Sequence, residues 1–174
     1  MHGFFVEQMA MYSSYHRDHR NKLAHFIGVP AIAFSLFIPA ALAGFFPVGF
    51  YAVSLATLIA AAVMVFWIVL DWPLGIATSL VFVPFVLLAD WVSAMGVTVA
   101  WTAFAVLFAG GWMFQLVGHA FEGRKPALTD NLLQILIAPV FLVAEVVFGL
   151  GLRKSLHDEV DARWRDYLPK GAVP

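Results

Sequence analysis

Three long stretches of the chain carry no formal charge, and that feature limits the possible folds more than any other. No Asp, Glu, Lys or Arg occurs from Phe26 to Leu70, from Trp72 to Ala89, or from Trp91 to Phe121. A further stretch, Asn131 to Leu152, is broken only by Glu145. A membrane-crossing helix needs about 20 consecutive apolar residues. The first run is long enough for two crossings and the third for one. Composition agrees: of 174 residues, 62% are hydrophobic and 12% charged, against about 45–50% and about 25% in soluble domains. With a mean hydropathy of +0.87, so small a chain cannot hide its apolar surface in one water-facing core. A bilayer accepts that surface. The expected fold is therefore all-α: a polytopic integral membrane helical bundle forming a single domain over residues 1–174.

Five apolar segments are expected, at about 25–44, 48–70, 73–92, 97–118 and 132–152. Turn-like breaks separate them at Gly44–Pro47, Asp71–Pro73 and Ser93–Gly96, where proline and glycine disfavour helix continuation. Trp72, Trp91 and Trp101 fall near expected ends, the depth at which indoles favour the headgroup zone. Residues 1–24 are an N-terminal cytoplasmic segment, 25–152 the membrane bundle, and 153–174 an interfacial C-terminal helix.

Orientation follows from Lys and Arg near the spans. Arg17, Arg20 and Lys22 precede the first, and Arg124 and Lys125 follow the fourth. Four crossings return the chain to its starting side, so both clusters face the cytoplasm. If the fifth segment also crossed, Arg153, Lys154, Arg163 and Arg165 would lie outside, against the rule. A re-entrant path turning near Pro139 keeps them inside and is favoured. Beyond it, Ser155 can cap a helix with Asp158 three residues later. Leu156, Val160, Trp164 and Tyr167 then form one apolar stripe, expected to rest on the membrane surface.

The same composition excludes other classes. There are no cysteines, hence no disulfides or thiolate metal sites. A net charge of −1 with scattered basic residues gives no support to nucleic-acid binding. The first apolar run begins too late and leads too directly into more membrane sequence for a signal peptide. A compact chain without retention signals points to a bacterial inner membrane, or to the endoplasmic reticulum in a eukaryote.

The stretch Tyr15–Pro30 gathers His16, His19 and His25 at the mouth of the first span. His119 stands at the end of the fourth. Four crossings put all of them, and Asp71, in one layer. Neutral imidazole is the commonest protein metal ligand, and several histidines with at most one carboxylate suit Fe(II) or Zn. Asn21 and His25 are four apart and share a helix face, as His119 and Glu122 do at three. His16 and His25 are nine apart and meet only if the backbone bends between them. His2, His19 and His157 read as water or headgroup contacts, and Asp71 and Asp90 as helix-end residues. Glu145, ionisable and deep in an apolar segment, must be paired or functional. Arg124 and Lys125 are either topology charges or an anion site.

These motifs resemble the membrane-bound 2-hydroxy fatty acid dioxygenases, whose fungal members act in the α-oxidation branch of phytosphingosine breakdown. The resemblance rests on Tyr15-His16, Asn21, His25, Val29-Pro30, Gly118-His119, Glu122, the run from Arg124 to Leu128, Asp130 to Leu132, Pro139 and Glu145. It implies an Fe(II) enzyme that uses O2 to shorten a 2-hydroxy fatty acid by one carbon. His16, His25 and His119 would be the metal ligands. Asn21, Glu122 and Asn131 would be the catalytic support that orients the imidazoles, and Arg124 and Lys125 would bind the substrate carboxylate. The acyl tail would lie among the spans, in contact with membrane lipid. Rival readings are a different His-iron lipid hydroxylase or desaturase, for which the histidines are few, and a non-catalytic lipid-binding protein or small transporter, which the nearly charge-free spans disfavour.

Overall fold

The computed structural model describes residues 1–48 and 51–168. In chain order the elements are α1 (His2–Ser14), α2 (His19–Ala41), a hairpin of β1 (Gly44–Val48) and β2 (Tyr51–Ser54), α3 (Leu55–Leu70), α4 (Trp72–Ala94), α5 (Val97–Glu122), α6 (Gln134–Gly149) and α7 (Lys154–Arg163). Single 3-10 turns occupy Ala127–Thr129 and Trp164–Tyr167. Helices α2, α4 and α5 are long and apolar enough to cross a membrane. At 23, 23 and 26 residues they run about 35–39 Å, against a hydrocarbon core of about 30 Å. Their outward side chains are apolar: Ile27, Leu80, Val106, Met113 and Leu116 are each more than half exposed. Such a surface suits lipid, and the all-helical membrane bundle is borne out apart from the hairpin.

The second expected segment is shorter as a helix than the charge-free run suggests. Its first residues pair antiparallel with the end of the preceding one, Phe46 opposite Val53 and Val48 opposite Tyr51. Aromatic and β-branched residues favour that arrangement. The helix then starts where Ser54 and Thr57 form a reciprocal capping box. Asp71 caps α4, taking the Leu74 N–H at 3.1 Å, and Pro73 falls in its first turn, where a missing N–H costs nothing.

Helix α6 does not turn at Pro139. It continues through it, because Ile137 to Leu142 are all buried and neighbours hold the helix on every side. Its contacts place it across one end of the bundle. Gln134 donates to Gln8 at 2.8 Å, and the Leu136 carbonyl accepts the Trp67 indole N–H at 2.8 Å. Glu145 pairs with Lys22 at 2.6 Å, and just beyond the helix Arg153 forks onto Asp71 at 2.7 and 3.0 Å. Lys22, Trp67 and Asp71 all belong to the end where α2 begins, α3 stops and α4 begins. The reversal comes after Gly149, where α7 leaves at 119°.

The stripe expected on α7 is present, but it faces protein. Leu156 and Val160 are buried in one core with Phe5, Val6 and Met9 of α1, and Trp164, also buried, lies under the Arg17 guanidinium at 4.3 Å. Ser155 is not the cap: the helix starts one residue earlier, and its hydroxyl reaches Glu159 at 3.3 Å.

Candidate metal centre

The chain breaks between α1 and α2, and the break carries His16. That is the bend a nine-residue spacing requires. His25 stands two turns into α2 and His119 in the last turn of α5. Three glycines bring those two helices together. A Cβ on Gly28 would lie 2.8 Å from the Gly111 carbonyl, one on Gly111 2.7 Å from Ile32, and one on Gly118 2.6 Å from Asn21 Oδ1. Small residues allow such backbone approach between membrane helices. The result is a triangle of imidazoles. Ring centroids are 4.4 Å apart for His16 and His25, 4.9 Å for His25 and His119, and 5.1 Å for His16 and His119. All three are at most 5% exposed.

Hydrogen bonds fix which nitrogens face inward. His16 Nδ1 donates to the Tyr12 carbonyl at 2.7 Å, and His25 Nδ1 to the Asn21 carbonyl at 2.9 Å. Each Nδ1 therefore holds the proton and each Nε2 presents a lone pair. Those two Nε2 atoms are 3.0 Å apart. Two facing lone pairs repel unless a cation lies against both. His119 Nδ1 is buried without a partner. Burial, reinforced by the neighbouring His25, pushes the His16 pKa well below its usual value, which keeps it a neutral ligand. One nitrogen from each ring lies within 4.8 Å of the others. Two nitrogens bound side by side on an octahedral ion with bonds of about 2.1 Å are about 3.0 Å apart. The donor set fits a divalent metal.

The residues around the triangle hold it in place. Glu122 accepts the backbone N–H groups of Arg17 at 2.9 Å and Asp18 at 2.8 Å, and the Asn21 amide at 3.0 Å. It thus latches the His16-bearing link onto the end of α5. Asn21, fully buried, also donates to the Tyr15 carbonyl at 2.9 Å. Asp18 caps α2. Its pKa falls to about 2, through the Arg20 side chain first and then the Arg20 N–H. Tyr12 was not anticipated. Its ring stacks on His16 at 4.0 Å, backed by Phe141. The spacing Phe5, Met9, Tyr12, His16 is a helical stripe that marks it in the sequence.

Other anticipated residues lie elsewhere. Asn131 donates to Gln8 at 3.0 Å and accepts the Leu133 N–H at 3.0 Å, so it ties the start of α6 to α1. Arg124 donates to the Ser14 carbonyl and to the Tyr167 carbonyl at 3.4 Å, with its guanidinium over the Tyr15 ring at 3.9 Å. Lys125 pairs with Asp130 at 2.6 Å on the surface. Lys125, first, and then the Tyr15 hydroxyl lower the Asp130 pKa. His2 binds Glu159 at 2.9 Å, and His157 stacks on Phe148 at 4.7 Å.

The triangle closes one end of a cavity of about 570 Å³. Along α2 the lining runs from His25 through Val29, Ile32 and Ala33 to Leu36 and Phe37, and along α5 from His119 to Phe108. Eleven residues of helix are about 17 Å, roughly one leaflet of hydrocarbon. Among the described residues, no Asp, Glu, Lys or Arg lines it. Helices α3 and α5 flank the cavity without forming a packed pair. Leu36, Ile59 and Ile135 on its wall are each more than two-fifths exposed, so it opens sideways onto the lipid-facing surface.

A membrane helical bundle with a buried, metal-competent histidine triad at the head of a lipid-accessible cavity is the class these observations define. Comparison with known sequences narrows it. The family described as 2-hydroxy-palmitic acid dioxygenase Mpo1-like matches residues 3–150. The chain is also 34% identical over 166 residues to the 2-hydroxy-palmitic acid dioxygenase MPO1 of Saccharomyces cerevisiae, covering 91% of each chain. The chain belongs to this family of oxidoreductases. No solved structure matches it.

Proposed function

We propose that the chain is an Fe(II)-dependent dioxygenase that shortens 2-hydroxy fatty acids by one carbon. One observation carries the reading: three neutral imidazoles converge at the head of a charge-free cavity with the depth of an acyl chain. The relative's printed activity, on 2-hydroxy-palmitic acid, is chemistry that such a site suits. Bound by His16, His25 and His119, ferrous iron would supply Lewis acidity and one-electron chemistry with coordination positions left open. The overall change, a 2-hydroxy acid plus O2 to an acid one carbon shorter plus CO2 and water, balances without a separate reductant.

The chain's own groups bind, orient and exclude water. Val29, Ile32, Ala33, Phe37 and Phe108 hold the acyl tail. Entry between α3 and α5 spares the tail any passage through water, and the charge-free wall leaves the headgroup carboxylate only the cation to neutralise it. Tyr12 and Asn21 hold two imidazoles in the tautomer that ligates. Glu122 keeps the link carrying His16 closed over the site. Arg124 and Lys125, engaged outside the cavity, carry topology and structure in this reading. The Lys and Arg distribution supports a centre on the cytoplasmic face.

The experiment is product analysis. Purified, iron-supplied protein given 2-hydroxyhexadecanoic acid and O2 should release the acid one carbon shorter, seen by mass. An added oxygen on an intact chain would support a hydroxylase instead. No turnover with iron bound would count against the proposal.

A further inference from the structure

Gln115 is a polar group of the cavity wall that neither the metal centre nor the packing of the bundle uses. Gln115 lies on α5 four residues before His119, so both share the face turned to α2. It is 8% exposed and lines the cavity. A Cβ on Gly28 would fall 3.2 Å from Gln115 Cγ and 3.3 Å from its Nε2. The glycine leaves the room that the amide occupies. Gly28 is three residues beyond His25, so the amide stands about one helical turn from both His25 and His119. Among the described residues it has no hydrogen-bond partner. A primary amide that faces an apolar cavity without a protein partner is free to pair with the polar groups of a ligand.

We propose that Gln115 is a substrate-binding residue that recognises the 2-hydroxy-carboxylate headgroup. An amide offers one acceptor and two donors. Its oxygen accepts the 2-hydroxyl proton and its NH2 donates to a carboxylate oxygen. The proposal rests on the reading of the chain as acting on 2-hydroxy fatty acids. It explains how a greasy cavity selects a hydroxylated acid over the far more abundant unsubstituted one. Apolar walls discriminate weakly between the two, whereas a polar group left unpaired by the missing hydroxyl discriminates strongly.

Anaerobic binding to the iron-loaded protein tests this without turnover. Displacement of a fluorescent fatty acid by 2-hydroxyhexadecanoic acid and by hexadecanoic acid gives a preference ratio. The wild-type ratio should favour the hydroxylated acid by about tenfold or more. In Gln115→Leu the ratio should fall to parity with iron content and thermal midpoint unchanged. Gln115→Asn, with the amide on a shorter stem, should recover part of it. If Gln115→Leu folds poorly, Gln115→Met carries the same expectation. A full ratio in the apolar variants overturns the proposal alone, as does loss of the ratio only together with loss of iron. A wild-type protein that binds both acids equally overturns both the proposal and the functional reading beneath it.

Discussion

At the scale of single residues, the site depends on where protons sit. His16 and His25 spend Nδ1–H on main-chain carbonyls, and a cation relieves the two lone pairs left facing at 3.0 Å. His25→Ala or His119→Ala should cut bound metal to background in elemental analysis while the helical circular dichroism persists. Glu122 is the next test. Glu122→Ala strips an acceptor from the Arg17 and Asp18 N–H groups and from Asn21. Removing such support costs about 10–100-fold in metal affinity, which competition with a chelator would read. Lys125→Ala should do little. Its pair with Asp130 is on the surface, where solvent screening leaves such pairs little weight, and KM for the acid should stay put. The histidines, Asn21 and Glu122 were legible as one group because helix spacing and crossing number both predict their meeting. The partners of Arg124 and Lys125 were not. A charge pattern shows which side of a membrane a cation favours, and a carbonyl such as that of Ser14 leaves no mark in sequence.

Among the elements, the pairing of α2 with α5 sets the geometry of the triangle. Gly118→Val would drive a side chain into Asn21, whose Oδ1 is already 2.6 Å from the place a Cβ would take. Overpacking of this kind costs about 1–3 kcal/mol. The thermal midpoint should fall, and metal should be lost with it, because Asn21 also holds His25. The charge-free runs revealed α4 and α5 to within four residues, since a bilayer demands apolar length, but α2 starts at His19, six residues earlier than expected, because its first two turns are mostly polar. The runs did not reveal the hairpin before α3, where β-prone Phe46, Tyr51 and Val53 are as greasy as any helix. Nor did they reveal the course of α6. A buried helix lying across the bundle and one crossing the bilayer are equally apolar, and only Lys22, Trp67 and Asp71 settle the matter. The stripe on α7 was read correctly as apolar, but periodicity cannot say whether lipid or α1 covers it.

For the whole molecule, the bundle reads as a metal centre attached to an acyl-length cavity that opens sideways. The far end of the cavity, near Leu36, Ile59 and Phe108, should then measure chain length. Ile59→Trp should shift the preferred 2-hydroxy acid to shorter chains, seen as the ratio of kcat/KM values across a chain-length series, with iron content unaltered. In the proposed function one ferrous ion binds where residues from the two distant motifs converge. The most direct measurement is iron per chain in protein purified from iron-supplied cells, wild type beside His119→Ala. Stoichiometric iron is expected in the first and background iron in the second, with both proteins folded. Iron retained in full by the variant, or absent from an active wild-type protein, would contradict the proposed function.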